Sequence, residues 1–385
     1  MKTKNTTQKI QNPTIEDEYQ IQPILQEIIL YRRWKHTTTN LYHITLRQYC
    51  EYHQTTLPQL ITEAEQDEDN IHKLSRRKIK QRLHTFTLHL QEQGKQPSTI
   101  RAILSRISLV YHFFDIEIPR LPRLRVENTE HFEDLPTRDE IQYALNHVNT
   151  KTRALITALA SSGLRVSDLS QVTVGDFLQC CREYVISPCG VKDFLLQLQD
   201  SGDLIVPVLY IRSQKTGVSY YTFFSDEASR YIVEYLLEYL REEMLSLDDP
   251  LFHMNAHSMS VRFTRLNTKL DMGRLLTRGR FHAHALRKFF ASTLVNAGCD
   301  FLTVEFLLGH KLDAVKEAYY KADKEMLKAK YLGYMSYVTF LTEVRVREVS
   351  SSELEELEEL RAFKRDSVER IRHLEEMMTL MNEKI

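Results

Sequence analysis

The chain has 385 residues, enough for two or three domains that each bury a core of their own. Hydrophobic residues make up 42% and charged residues 27%, as in ordinary soluble proteins, and no apolar run reaches the ~18 residues of a membrane span. The N-terminal segment lacks the apolar core of a signal peptide, so we expect a cytoplasmic protein without a membrane partner. The five cysteines form no CxxC pair, which argues against a metal site and favours free thiols.

The formal net charge of −1 hides an uneven distribution along the chain. Residues 71–125 hold twelve basic and three acidic side chains, a net charge of +9. Residues 348–385 hold six basic and eleven acidic side chains, a net charge of −5. A basic block of this kind indicates a nucleic-acid partner, although a solvated helix face would have the same composition.

After a flexible N-terminus, residues 1–20, the chain is predicted to be helical throughout 21–118. In "SRRKIKQRLHTFTLHLQEQG" the apolar residues recur at helical spacing and Ser75 is the expected N-cap. Ser98 is the expected cap of the helix that follows. The prolines of "IPRLPRLRVENTEHFEDLPTRDE" interrupt any helical period, which predicts a linker over 119–134.

Residues 135–349 are predicted to form a mixed α+β domain. Its first helix follows a capping box made by Thr137 and Glu140. The stretch "VLYIRSQKTGVSYYTFF" is typical of two strands joined by a turn, and "SDEASRYIVEYLLEYLREE" of a capped amphipathic helix. "HALRKFFASTLVNAG" predicts a further helix, whereas residues 178–205 show no clear period.

The C-terminal segment 350–385 is predicted to be a helix, after a strand in "VTFLTEVRVREV". Its apolar residues follow heptad spacing, which indicates a short coiled coil; packing on the preceding domain is the alternative. The residues of this seam are Ile371, Leu374, Met378, Met381 and Ile385.

Four motifs follow one another in the second half of the chain. They are "SSGLRVSDL" with Arg165, "SQKTGVSYYTF" with Lys215, "HALRKFF" with His284 and Arg287, and "LGHKLDAVKEAYY" with His310 and Tyr319. Each motif alone is common, but together and in this order they resemble the tyrosine recombinase (phage integrase) family. "QKTGVSYYTF" and "AYYKADKEML" look most like archaeal-type integrases. The resemblance covers residues 137–335 well and the N-terminal helical part only as a type.

The chemistry of these residues supports the resemblance independently. Cutting DNA without a metal needs a nucleophile, an acid for the leaving group and cations on the phosphate. Arg165 and Arg287 can each bind the non-bridging oxygens in bidentate fashion and stay charged at any working pH. Tyr319 would attack phosphorus, and nearby cations or a base would have to promote loss of its proton. Tyr320 is the alternative nucleophile, since neighbouring helical residues point about 100° apart and only one can face the arginines.

The resemblance implies roles for the remaining site residues. Lys215 would protonate the departing 5′ oxygen, His284 would act as acid and base, and His310 would donate a hydrogen bond to the phosphate. Asp168 would orient Arg165 from behind. Lys288 stands where the family often has a second histidine. No cofactor or metal is implied, and His282 is expected to be an ordinary histidine.

The resemblance also implies the fold and the activity. The fold would be mainly α with a small β-sheet: an all-helical SAM-like core-binding domain, a mixed α+β catalytic domain and a C-terminal helical tail. The activity would be site-specific recombination through a 3′-phosphotyrosine and a Holliday junction, by four protomers on double-stranded DNA, integrating or excising a mobile element or virus genome. A type IB topoisomerase-like enzyme, a Xer-like dimer resolvase and a silent DNA-binding relative are the alternatives. The expected DNA contacts are Arg76, Arg77, Lys78, Lys80, Arg101, Arg106 and Lys288.

Overall fold

The computed structural model describes residues 18–120, 124, 134–275, 278–311 and 323–340. The chain divides into two compact units, residues 1–129 and 130–385, and the division lies inside the predicted linker. Each unit has its own cluster of buried hydrophobic residues. Across the described residues, no helix combines the length and the apolar character that crossing a membrane requires. Tyr319, Tyr320, the segment 350–385 and the strand expected beyond residue 340 lie outside the described residues.

The N-terminal unit is helical over its described length. Its helices are α1 (Ile21–Arg32), α2 (His36–His53), α3 (Leu57–Asn70), α4 (Lys78–Glu92) and α5 (Pro97–Phe113), with a 3₁₀ turn at Leu74–Arg76. The predicted apolar stripe of α4 is buried at Ile79, Leu83, Phe86 and Leu90. In the same core the hydroxyls of Tyr49 and Tyr111 lie 3.3 Å apart.

The predicted caps of α4 and α5 are wrong. α4 begins at Lys78 instead of after Ser75, because the buried Asp67 of α3 accepts a hydrogen bond from the Lys78 backbone N–H. This cap comes from another helix, so local sequence cannot indicate it. α5 begins at Pro97, a residue suited to the first helical position, without the side-chain cap expected from Ser98.

The C-terminal unit combines helices with two antiparallel hairpins. Its helices are α6 (Arg138–Asn146), α7 (Thr150–Ser162), α8 (Val166–Leu169), α9 (Val174–Cys180), α10 (Val191–Asp200), α11 (Asp226–Tyr239), α12 (Ala256–Lys269), α13 (Ala283–Asn296), α14 (Phe301–Leu307) and α15 (Lys324–Tyr334). Its strands are β1 (Val208–Arg212), β2 (Ser219–Phe223), β3 (Arg274–Leu275) and β4 (Arg278–Gly279). The expected fold class, mainly α with a small β-sheet, is confirmed.

Several local predictions for this unit are confirmed. Thr137 and Glu140 form the capping box of α6. β1 and β2 pair antiparallel from Val208–Phe223 to Arg212–Ser219, which puts the "QKTG" residues in the turn.

The segment 178–205, which has no clear period, contains the end of α9, a 3₁₀ turn and α10. α7 is buried along most of its length and packs against α11 and α13 at the centre of the unit.

Gly309, of the "LGH" motif, marks a close approach between α14 and β2. Its φ of +60° lies in the left-handed region, and a Cβ atom there would come within 2.3 Å of ring carbons of Tyr220. Tyr220 is buried, so its ring has little room to move. Only glycine therefore fits at position 309, beside the Tyr220 ring and directly before His310.

We expect Gly309→Ala to lower the free energy of unfolding by about 2 kcal/mol or more. A left-handed alanine costs roughly 1–2 kcal/mol, and overpacking the Tyr220 ring costs roughly 1–3 kcal/mol. Thermal unfolding should show a melting temperature several degrees below that of the wild type. Gly333→Ala is the control: it lies in α15 with no atom near the new Cβ, so it should be neutral or slightly stabilising. Equal melting temperatures for the two variants would contradict the close approach.

Candidate active site

Two carbonyl groups hold the paired arginines. Arg287 of α13 is 4% exposed, and its guanidinium donates to the Gly163 carbonyl at 2.6 Å and to the Leu308 carbonyl at 2.7 Å. Arg165, directly before α8, donates to the same Leu308 carbonyl at 3.4 Å. Gly163 ends α7 with a φ of +62°, which turns the chain toward Arg165. The ends of α7 and α14 thus bring residues from three distant motifs together.

A pocket of about 490 Å³ opens beside the two arginines. Arg165, Lys215, His284 and Arg287 all line it, although they come from three separate segments of the chain. Among the described residues, none that lines this pocket is acidic. The remaining polar lining side chains are Ser167, Ser260, Thr264, Arg278 and His282. The pocket therefore presents positive charge and hydrogen-bond donors, the surroundings that a phosphate group requires.

Asp168 joins Arg165 to the hairpin that carries the lysine. Its carboxylate is buried and accepts a hydrogen bond from the Gln214 backbone N–H at 2.9 Å. It lies 3.5 Å from the Arg165 guanidinium and accepts from the Tyr220 hydroxyl at 3.4 Å. Gln214 directly precedes Lys215, so Asp168 anchors the start of the turn while the lysine itself stays exposed.

His310 completes a chain of hydrogen bonds that begins at Arg287. The Arg287 guanidinium donates to His310 Nε2 at 2.9 Å, and His310 Nδ1 lies 2.9 Å from the Glu305 carboxylate. Because arginine can only donate, Nε2 must be the acceptor and Nδ1 carries the proton that goes to Glu305. Glu305 thereby selects the tautomer of His310.

The charges in the pocket shift the pKa values of its members. Loss of water and the positive charge of Arg165 lower the pKa of Arg287 to about 10, which leaves it protonated at neutral pH. Partial desolvation, then His282 and the neighbouring arginines, lower the pKa of His284 below its usual value. The His284 ring lines the pocket, and the lowered pKa favours its neutral form at neutral pH.

The structure differs from expectation for two of the basic and histidine residues. His282 was expected to be ordinary, but it lines the pocket and its Nε2 is buried without a hydrogen-bond partner among the described atoms. Arg77 was expected to contact DNA, but it is 7% exposed and its guanidinium forms an ion pair with Glu68 at 2.6 Å. The Arg77 side chain is therefore held within the N-terminal unit by its ion pair with Glu68.

The other expected DNA contacts are distributed over both units. Arg76, Lys78, Lys80 and Arg101 are exposed. Arg106 is half-buried and donates to the Thr45 hydroxyl at 3.1 Å. Lys288 of α13 is partly buried and is not among the residues that line the pocket.

Sequence reasoning did not identify Tyr220 or Glu305. Tyr220 is in the quoted "QKTGVSYYTF" motif, but nothing local distinguishes it from Tyr221 except the strand alternation, which buries Tyr220. Glu305 lies five residues before His310, and only the turn after α14 brings their side chains together. The alternation could have indicated the first; no sequence signal indicated the second.

Comparison with known proteins agrees with this geometry. Residues 136–326 match the Phage integrase family. The tyrosine recombinase XerD of Oceanobacillus iheyensis is 28% identical over 272 residues, which cover 65% of this chain and 80% of that protein. The tyrosine recombinase XerA of Saccharolobus solfataricus is 22% identical over 245 residues, covering 63% and 70%.

A solved structure supports the fold. The Tn1549 transposon integrase in complex with circular intermediate DNA superposes with a TM-score of 0.50 at 18% identity, over 80% of this chain and 97% of that one. The matched family covers all the motif residues from Arg165 to Tyr319. Residues 136–326 therefore form a domain of the phage integrase family, the tyrosine recombinases, whose members cut and rejoin DNA strands.

Proposed function

We propose that this chain breaks and rejoins DNA at specific sites through a covalent 3′-phosphotyrosine, with the pocket at Arg165 as the catalytic site. The observation that carries the proposal is the convergence of Arg165, Lys215, His284 and Arg287 on one cavity, which no acidic residue in the described part of the chain lines. His310 accepts a hydrogen bond from Arg287 and so lies beside these four residues. A scissile phosphate is the substrate group that such a set of donors fits.

The two arginines would bind the non-bridging oxygens of the scissile phosphate. Their carbonyl partners, Gly163 and Leu308, hold the guanidiniums in place before DNA arrives, so little reorganisation is needed during the reaction. The pentavalent transition state carries one more negative charge than the phosphodiester. The cations stabilise that charge more strongly than the charge of the substrate, which lowers the barrier.

Proton transfers would accompany the displacement at phosphorus. The Tyr319 oxygen forms a bond to phosphorus while the bond from phosphorus to the 5′ oxygen breaks. The tyrosine proton passes to the neutral His284, and Lys215 gives a proton to the departing 5′ oxygen. His310 would contact the phosphate beside Arg287, with its ring oriented by the Glu305 carboxylate 2.9 Å from Nδ1. The reverse sequence rejoins the strand, because the phosphotyrosine keeps the energy of the broken bond.

The proposal is tested with a suicide substrate, a duplex nicked so that the cleaved end diffuses away. Wild-type protein should accumulate on a denaturing gel as a covalent adduct with the labelled strand that carries the 3′ phosphate. EDTA should leave the yield unchanged, since the proposed residues supply the charge that a metal would. Absence of an adduct on any cognate duplex, or strand cleavage that requires magnesium, would contradict the proposal.

The biological role follows from which sites the enzyme joins. We propose a homotetramer on two duplexes that forms a Holliday junction and integrates or excises a mobile element. Dimer resolution is the second candidate, supported by the Xer recombinases among the relatives. Recombination between two different attachment sites supports integration, whereas recombination between identical sites supports resolution. A topoisomerase-like enzyme would relax supercoiled DNA and yield no junction.

We expect the exposed basic residues Arg76, Lys78 and Lys80 to contact DNA phosphates. Replacing all three with alanine should weaken binding to every sequence and flatten the dependence of log affinity on log salt concentration by about one unit per lost phosphate contact. Fluorescence anisotropy over a series of salt concentrations measures the slope. An unchanged slope would place these side chains away from DNA.

Arg77→Ala is the matched control for that experiment. Because Arg77 is buried on Glu68, its loss should reduce the free energy of unfolding by roughly 2 kcal/mol, the worth of a hydrogen bond to a charged group. The salt slope of DNA binding should remain that of the wild type. A flattened slope in Arg77→Ala would show that this guanidinium leaves Glu68 for DNA.

A further inference from the structure

A second cavity, of about 730 Å³, lies in the C-terminal unit between α12 and the loop that leads into α7. Its apolar lining side chains are Val148, Met254, Val261 and Leu266. Its basic lining side chains are Arg262, Arg265 and Lys269, and His257 also contributes to the lining. The cavity therefore joins an apolar surface to a row of positive charges, and no acidic residue is among the described residues that line it.

Among the described residues, the cations of this row have no carboxylate partner. Neither Arg262, Arg265 nor Lys269 forms an ion pair with any residue in the part of the chain that the structure describes. Arg262 donates to the Thr152 hydroxyl at 3.1 Å, but its Nε is buried and has no hydrogen-bond partner among the described atoms. A buried N–H without a partner destabilises the fold, and a bound anion would supply the missing hydrogen bond.

A fourth cation increases the positive charge at this place. Lys151, at the start of α7, lies over the Tyr235 ring at 5.5 Å, and burial together with the charge of Arg262 lowers its pKa. The like charges of Lys151 and Arg262 repel one another, and an anion bound between them would offset that repulsion. The repulsion is consistent with a site that binds a negatively charged group.

This cavity is separate from the catalytic pocket. Ser260 and Thr264 of α12 line the catalytic pocket, whereas Arg262, Arg265 and Lys269 line the second cavity. Successive helical residues are about 100° apart, so the two sets occupy opposite flanks of α12. The helix therefore stands between the two cavities, and a ligand in one would contact the same helix as a ligand in the other.

We propose that the second cavity binds a phosphate group carried on an apolar body, as in a nucleotide. The cations Arg262, Arg265 and Lys269 bind the phosphate, and the apolar lining side chains pack against the base or sugar. The volume lies within the range of about 300–1,000 Å³ that holds small ligands. The nucleotide is either free in solution or part of a DNA strand, and both sources have the chemistry that the cavity recognises.

The test uses the full chain with Arg165→Ala as background, so that the catalytic pocket contributes less to anion binding. ADP is titrated by isothermal titration calorimetry, and a 30-base-pair duplex by fluorescence anisotropy over a range of salt concentrations. Each probe is applied to the background protein and to a form that also carries Arg265→Ala and Lys269→Ala. Both of these side chains are exposed, so their removal leaves the core intact.

The control form carries Lys192→Ala and Arg241→Ala, which remove the same charge from exposed positions outside both cavities. We expect the cavity variant, but not the control, to lose about tenfold or more in affinity, because it loses charge-assisted hydrogen bonds to the phosphate. Loss for ADP alone identifies a free nucleotide, and a flatter salt slope for the duplex identifies DNA. Wild-type-like binding of both probes by the cavity variant, or equal losses in cavity and control variants, would overturn the proposal.

Discussion

The Tyr319→Phe variant is expected to bind DNA as well as the wild type and to form no covalent adduct. The substitution removes a single hydroxyl oxygen, the atom that we propose as the nucleophile, and keeps the aromatic ring. Water in the pocket cannot replace it, because hydrolysis would leave a free phosphate and no bond to protein. A gel-shift assay measures the binding, and a denaturing gel with a labelled suicide substrate measures the adduct.

Tyr320→Phe is the matched control, since it makes the same chemical change one residue away. We expect its adduct yield to stay within a few-fold of the wild type. The two residues point about 100° apart if the segment is helical, so only one of them can face the arginines. Adducts that persist in Tyr319→Phe and vanish in Tyr320→Phe would assign the nucleophile to Tyr320.

The Arg165→Ala variant is expected to lose roughly 10²–10³-fold or more in the rate of cleavage, the usual effect of removing one donor from a preorganised anion site. Its side chain is 17% exposed and makes only long contacts, 3.4 Å to the Leu308 carbonyl and 3.5 Å to Asp168, so its removal should affect the transition state more than the fold. Single-turnover cleavage of the suicide substrate measures the rate. Thermal unfolding of the same sample shows whether the fold is kept.

Arg165 tests phosphate binding by the two arginines with less effect on stability than Arg287 does. Arg287→Ala would leave the carbonyls of Gly163 and Leu308 without their short hydrogen bonds in the core, so it should also destabilise the protein. Arg241→Ala, an exposed arginine at the end of α11, serves as the control and should cleave normally. A loss of tenfold or less in the cleavage rate of Arg165→Ala would contradict phosphate binding by this residue.

The local sequence determined several of the elements and the identity of the motif residues. The capping box at Thr137, the alternation of β1 and β2, and the helical period of α4 each depend on neighbouring residues alone. Such features are set by backbone sterics and by hydrogen bonds within a few residues, so a single sequence is enough to predict them. The order of the four motifs was sufficient to indicate the phage integrase family.

The tertiary structure decided which side chains meet, and it did so through atoms that no local pattern specifies. The Leu308 carbonyl holds both arginines, Glu305 sets the tautomer of His310, and Asp168 fixes the base of the Lys215 turn. Whether a basic residue is available to DNA was decided in the same way, since Arg77 is buried on Glu68 while its neighbours are exposed. These outcomes depend on packing between segments far apart in the chain, because desolvation and hydrogen bonding act between neighbours in space.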